Sequence, residues 1–324
     1  MEKRKYDYEY HENSPLFLMF SKKLYHSIAV YIPRSIHPNY ISLGTLVITV
    51  SIHLFQSYCD YYFMAVSRTA SKFHKFHEYI PPSMWLVTAG ALIAEYVLDG
   101  LDGAHARLTK QESNVGEFLD HSTDIIRISL VHICSVFTLF GRDRYGFSIQ
   151  EMILCLLTVQ CVVFPVFWFQ YLTGKLFMPW FYDFNTFFVT WLYWNTWRLG
   201  GTACWRVLPY APYLRWTNAR IIQYGLYGCA LITVPMQIYY FVRICCEKHC
   251  RIQVRKLYHL LWFIALAICM LYWAVRCTKE GTASAISQDP RVFFWAFSLT
   301  FANITMLQLH RERLCHSALT EKEL

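Results

Sequence analysis

The stretch Leu98–Asp124, LDGLDGAHARLTKQESNVGEFLDHSTD, decides how the rest of the chain must fold. Asp99 and Asp102 are three residues apart, and Asp120 and Asp124 are four apart. On helices both spacings put the pair on one face. An apolar run precedes the first pair and another follows the second. The pattern predicts two membrane helices, each presenting a carboxylate pair, joined by a short polar loop. Carboxylates at membrane depth are costly and mark functional sites. Four of them facing each other cannot all stay ionised unaided, because like charges raise one another's proton affinity. Divalent cations resolve that conflict, and an all-oxygen ligand set suits Mg²⁺, Mn²⁺ or Ca²⁺ rather than zinc. Two ions between two carboxylate pairs point to phosphoryl chemistry, in which they neutralise phosphate charge and stabilise a leaving oxygen. Gly103 and Gly116 let backbone approach a ligand closely, and Arg107 is a fixed-charge fork suited to phosphate. A solvated acidic loop is the plainer account of a charge run. Such runs seldom sit at apolar boundaries with helical spacing.

Composition agrees with a membrane setting. Of 324 residues 55% are hydrophobic and only 16% charged, against about 25% charged in soluble domains. The apolar residues come in blocks of spanning length. The net charge of +8 reads as basic loops facing anionic headgroups, with no nucleic-acid partner. The twelve cysteines form no C-x-x-C pair, which argues against a disulfide framework or a zinc site. Cys245, Cys246, His249 and Cys250 gather at a helix end, where palmitoylation and inert thiols both stay open.

The fold class is therefore all-α, a polytopic membrane protein with about eight transmembrane helices and at most ten. An amphipathic interfacial helix, Pro15–Ile32, precedes them. The expected spans are Tyr40–Cys59, Pro82–Leu98, Phe118–Phe140, Gln150–Leu172, Phe187–Gly200, Ile222–Cys245, Leu257–Val275 and Val292–Gln308. The organisation is an N-terminal cytosolic and interfacial segment (1–36), a transmembrane catalytic domain (37–310, core 38–200) and a cytosolic tail (311–324). Eight spans put both termini on one side, and a modest Lys and Arg bias makes that side cytosolic. The loop from Gly103 to Gly116 then faces the cytosol. Glu95, four residues before Asp99, is either a partner of the motif acids or an interfacial acid. Arg127 inside a span needs an anionic partner, a carboxylate of the chain or a substrate phosphate. His121 follows Asp120 directly and has the ordinary proton affinity of a base near neutral pH. It could equally be a structural residue that orients Asp120.

The stretch fits D-x-x-D-G-x-x-A-R-x(8)-G-x(3)-D-x(3)-D at Asp99, Asp102, Gly103, Ala106, Arg107, Gly116, Asp120 and Asp124. This resembles the signature of the CDP-alcohol phosphatidyltransferase family. The resemblance implies transfer of a substituted phosphate from a CDP-linked alcohol to a hydroxyl, with CMP leaving, on two divalent ions, Mg²⁺ or Mn²⁺. It makes Asp99, Asp102, Asp120 and Asp124 the metal ligands. Asn39, Gly103, Ala106, Arg107 and Gly116 become the nucleotide-binding residues. The histidine after the third aspartate marks the choline/ethanolamine phosphotransferase branch and makes His121 the catalytic base for diacylglycerol. YLTGKLFMPWFYDFN (Tyr171–Asn185), HEYIPPSMW and NSPLFLM most resemble the animal ethanolaminephosphotransferase group. This implies CDP-ethanolamine and diacylglycerol, or an alkyl-acyl analogue, as substrates, with CDP-choline as the alternative donor. The setting it implies is the endoplasmic reticulum or Golgi membrane. Dimers are common among such relatives.

Departures exist. The branch has Lys-Gln between Gly103 and Ala106 and a second Arg after Arg107, where this chain has Ala104, His105 and Leu108. Two lost cations beside the phosphates would weaken nucleotide affinity. Ser122 replaces a glycine. Thr186 stands near a glutamate of choline-type relatives, which leans towards ethanolamine. Two other classes stay open: a silent relative that binds lipid or partners, and an ion or lipid transporter.

Overall fold

The computed structural model describes residues 10–12, 24–64, 80–142, 145–173, 176–178, 181–206, 216–248, 257–280 and 285–322. The helices are α1 (His26–Ala29), α2 (Pro38–Cys59), α3 (Pro82–Thr109), α4 (Asn114–Phe140), α5 (Ile149–Thr173), α6 (Phe181–Arg198), α7 (Asn218–Lys248), α8 (Tyr258–Glu280), α9 (Ala285–Gln288) and α10 (Pro290–Lys322). A parallel two-stranded ribbon, β1 (Tyr10–Glu12) against β2 (Leu176–Met178), is the exception to an all-α fold among the described residues.

Among the described residues seven helices are long and apolar enough to cross a membrane: α2, α3, α4, α5, α7, α8 and α10. The eighth expected span, Phe187–Gly200, falls in α6, 18 residues long. Asp183, Asn185, Asn195 and Arg198 leave it less apolar than the other seven. Of the expected interfacial helix Pro15–Ile32, residues 24–32 are described and include α1, while residues 15–23 lie outside the described residues, as do His249 and Cys250. The loop expected from Gly103 to Gly116 is much shorter. Helix α3 continues through the motif to Thr109 and stops where Lys110 turns left-handed, at φ 57°. Helix α4 restarts at Asn114, where the Ser113 side chain accepts the Gly116 N–H at 3.0 Å. A serine three residues before the glycine whose N–H it accepts is ordinary N-cap chemistry.

Helix α2 is inverted in polarity. Its buried face is Ser42, Thr45, Thr49, His53, Gln56 and Ser57, at helical spacing. Its exposed face carries Tyr40, Leu43, Val47, Leu54 and Phe55. Such an arrangement is stable where the surroundings are hydrocarbon. The hydroxyls are satisfied inside the helix: Thr45 donates to the Ser42 carbonyl at 2.6 Å, Thr49 to Thr45 at 3.0 Å and Ser57 to His53 at 2.7 Å. The stripe also reaches neighbours. Gln56 donates to Thr88 Oγ1 of α3 at 3.1 Å, and Trp295 of α10 donates to His53 Nε2 at 3.0 Å.

Helix α4 is the most enclosed of the seven spanning helices. It packs against α2 and α10, and α3 packs against α2 and α6. Helices α5, α7 and α8 form the flank, joined by stacked rings: Phe164 on Phe263 at 4.2 Å and Phe169 on Phe241 at 4.4 Å. At the end of the bundle remote from the carboxylates, Arg291 of α10 is fully buried. It donates to the carbonyls of Asp60 and Tyr61, to Ser57 Oγ at 3.1 Å and to Thr138 Oγ1 at 2.8 Å, with its guanidinium 4.0 Å over the Phe63 ring. It thus clamps the end of α2 to α4 and α10.

Replacing Arg291 with Met leaves two buried carbonyls without donors. The expected loss is about 3 kcal/mol of stability, read as a lower melting temperature of the detergent-solubilised protein. An unchanged melt would show that the clamp is dispensable.

Candidate active site

Two helices build the site. The C-terminal half of α3 carries Glu95, Asp99, Asp102, Gly103, Ala106 and Arg107, and the first half of α4 carries Gly116, Asp120, His121, Asp124 and Arg127. Carboxylate oxygens of Asp99, Asp120 and Asp124 lie within 4.8 Å of one another. The expected convergence of the two pairs is therefore present for three of the four aspartates. The fourth, Asp102, is buried and accepts a hydrogen bond from Ser42 Oγ of α2. Asp120 Oδ1 is buried with no hydrogen-bond partner among the described residues. A hard all-oxygen set with an orphaned carboxylate oxygen fits a divalent cation such as Mg²⁺ or Mn²⁺.

Arg127 is the residue whose role the sequence left most open. Its side chain is 1% exposed, and it lies among three carboxylates. One terminal nitrogen donates to Asp99 Oδ1 at 2.7 Å and to Asp124 Oδ1, and Nε stands 3.5 Å from Glu95 Oε1. The partner it required is thus carboxylate. Glu95 is buried and also joins His132, at 2.9 Å, so it is a partner of the motif acids rather than an interfacial acid. Arg127–His132 is a π-helical segment inside α4. Such single wide turns often occur at functional sites. Asp99 keeps a quarter of its side chain exposed, so the cluster opens outward along α3.

The remaining expected residues fall around this centre. Asn39, near the start of α2, lies against Gly116: a Cβ at 116 would come 3.1 Å from Asn39 Oδ1 and 3.2 Å from Ser113 Oγ. The exposed Arg107 fork folds back over Gly103, with Nη1 3.5 Å from where a Cβ would stand. Ala106 is half-buried between them in sequence. His121 is buried, with its ring 5.5 Å from that of Phe167 on α5. Sequence reasoning missed Ser42 and His132. The regular spacing of hydroxyl residues along α2 was the available signal for Ser42.

The three departures from the expected pattern share one surrounding. Ala104 is buried with Tyr25, Ala29 and Leu101, Leu108 packs on the same cluster, and His105 Nε2 donates to the Ile36 carbonyl at 2.9 Å. These positions dock the segment around α1. Gly100 belongs to the same contact: a Cβ would come 2.6 Å from the buried Tyr25 ring.

Residues 35–208, more than half of the chain, match the CDP-alcohol phosphatidyltransferase family. Ethanolaminephosphotransferase 1 of Mus musculus is 28% identical over 305 residues, covering 93% of this chain and 72% of that protein. Ethanolaminephosphotransferase 1 of Homo sapiens is 27% identical over 304 residues, with the same coverage.

Gly100→Ala should force Tyr25 out of its seat and lower stability by about 1–3 kcal/mol. The double variant with Tyr25→Ala should lose less than the two single losses added together. Thermal unfolding of the four proteins measures this, and strictly additive losses would show that the two residues do not meet.

Proposed function

We propose, since the chain belongs to the CDP-alcohol phosphatidyltransferase family, that it transfers phosphoethanolamine from CDP-ethanolamine to diacylglycerol or an alkyl-acyl analogue, releasing CMP. One observation carries the reading: α3 and α4 bring carboxylate oxygens of Asp99, Asp120 and Asp124 within 4.8 Å of one another at one end of a membrane bundle. The similarity of nearly the whole chain to proteins named ethanolaminephosphotransferase supports the choice of head group. So does Thr186, whose hydroxyl donates to the Tyr182 carbonyl and offers no carboxylate.

In this reading Asp99, Asp120 and Asp124, with Asp102 held by Ser42, are the ligands of a divalent cation, Mg²⁺ or Mn²⁺. Bound there, the cation supplies charge neutralisation for the diphosphate and for the departing CMP. Arg107, exposed over Gly103, meets the diphosphate with a planar fork. Gly103, Ala106, Gly116 and Asn39 give the nucleotide a surface that backbone and small side chains form. His121 takes the proton of the acceptor hydroxyl. The freed oxygen attacks the β-phosphorus, and the phosphorus–oxygen bond to CMP breaks with its electron pair on CMP. Its burial against Phe167 holds the imidazole in one orientation, as a positioned base needs. The aspartates cluster at one end of the bundle with glycines and an arginine at fixed spacing. That pattern supports an enzyme rather than a membrane-crossing ion path.

Purified protein in detergent, given diacylglycerol with CDP-ethanolamine or CDP-choline, should release CMP with Mg²⁺ or Mn²⁺ and not with EDTA. CDP-ethanolamine should be the better donor. Asp120→Asn should abolish release, and His121→Asn should lower kcat about 10²- to 10⁴-fold with KM little changed. Preference for CDP-choline would reassign the head group, and no release from folded protein with either donor would defeat the reading.

A further inference from the structure

Arg127 stands where an ion would bind. A cation ligated through the Oδ1 atoms of Asp99 and Asp124 would take the place of the one Arg127 nitrogen from which both accept. Oxygen–cation distances for these hard ions are roughly 2.0–2.6 Å, so ion and guanidinium cannot occupy that place together. The Asp124 carboxylate can turn little. Asp124 is buried, and α4 places it one turn before Arg127. The guanidinium has a third partner that is not among the clustered oxygens. Glu95 Oε1 lies 3.5 Å from Arg127 Nε, and Glu95 Oε2 is buried without a hydrogen-bond partner among the described residues. That open oxygen is on α3, one turn from Asp99.

We propose that Arg127 is a built-in competitor of the divalent cation: it neutralises Asp99 and Asp124 when no ion is bound, and withdraws onto Glu95 when one enters. Arg127 and Glu95 then set the ion affinity of the site without being its ligands. The inference rests on the reading of the aspartates as ion ligands. It extends that reading to two residues outside the Asp-Gly-Ala-Arg signature. The two-ion expectation drawn from the paired spacing becomes conditional on Arg127 giving way.

The test is Mn²⁺ binding to the detergent-solubilised protein without substrate, by the loss of the free-ion electron paramagnetic resonance signal. Arg127→Met should bind Mn²⁺ at least tenfold more tightly than the unaltered chain. Glu95→Gln should bind it more weakly, because Arg127 loses the place to which it withdraws. The coupling separates competition from simple charge. In the Arg127→Met background, Glu95→Gln should change the affinity less than threefold. A through-space effect would weaken binding equally in both backgrounds and would overturn the proposal, as would unchanged affinity in Arg127→Met. Should Arg127→Met fail to fold, Arg127→Lys replaces it: it keeps the charge but is too short to span Asp99 and Asp124, and it should still tighten binding. If the unaltered chain and every folded variant bind no Mn²⁺, the ligand reading itself fails, and the inference with it.

Discussion

The structure depends on one buried ionic cluster. A guanidinium that is 1% exposed has to be matched by negative charge nearby, and here Glu95 and Asp99 of α3 and Asp124 of α4 supply it. Taking such ions out of water costs several kcal/mol apiece, and removing one partner strands the rest at a cost of about 3–5 kcal/mol. The cluster therefore specifies how α3 and α4 meet more than it stabilises them. A rotation of either helix that separated Arg127 from its acids would leave charge in a membrane interior. Hydrophobic burial could not offer the same selectivity, since hydrocarbon lies on the outside of the bundle as well.

Helix α2 follows from that constraint. It lies beside both α3 and α4 and must face their charged sides without adding charge of its own. A stripe of hydroxyls, an imidazole and an amide meets the requirement. Serine and threonine carry their polar group close to the backbone and can bond to their own helix when no neighbour is present. Thr45, Thr49 and Ser57 do so, and Ser42 donates to Asp102 instead. The same helix supplies Asn39 at its start, against Gly116. One element thus packs the bundle, holds a motif carboxylate and sets Asn39 against Gly116.

The sequence made the site legible to the extent that it lies on regular helices. Spacings of three and four residues put Asp99 and Asp102, and Asp120 and Asp124, on faces that do turn towards each other. The expected starts at Tyr40 and Pro82 fall within two residues of those of α2 and α3, whereas the start expected at Phe118 falls four residues after that of α4. Arg127 was recognisable as a buried charge in need of a partner, but three carboxylates competed for it in advance, and only tertiary packing chooses among them. Positions 104, 105 and 108 show a related effect. They adjoin Arg107 in sequence, yet on a helix neighbouring residues point in different directions. Ala104, His105 and Leu108 look towards Tyr25 and Ile36. Helix α6 shows the limit of hydropathy. Its Asp183 is buried, with the Tyr96 hydroxyl donating to it at 3.1 Å, so its polar residues serve packing against α3 while lowering the average that marks a span.

Charge balance adds a consequence that signature residues alone do not carry. Asp99, Asp102, Asp120 and Asp124 form a set of four negative charges that two divalent ions would neutralise. Glu95 adds one negative charge and Arg127 one positive, so the sum over the six residues is the same as over the four. The pair therefore leaves the total demand for cations unchanged and alters only where it is felt. With Arg127 on Asp99 and Asp124, one negative charge remains on that pair and one on each of Glu95, Asp102 and Asp120. With Arg127 on Glu95, the uncompensated charge returns to the four aspartates. A single side-chain movement of a few ångströms thus shifts one unit of charge across the site. Two chains with identical ligands can on this account differ in ion affinity through residues that no ligand motif contains.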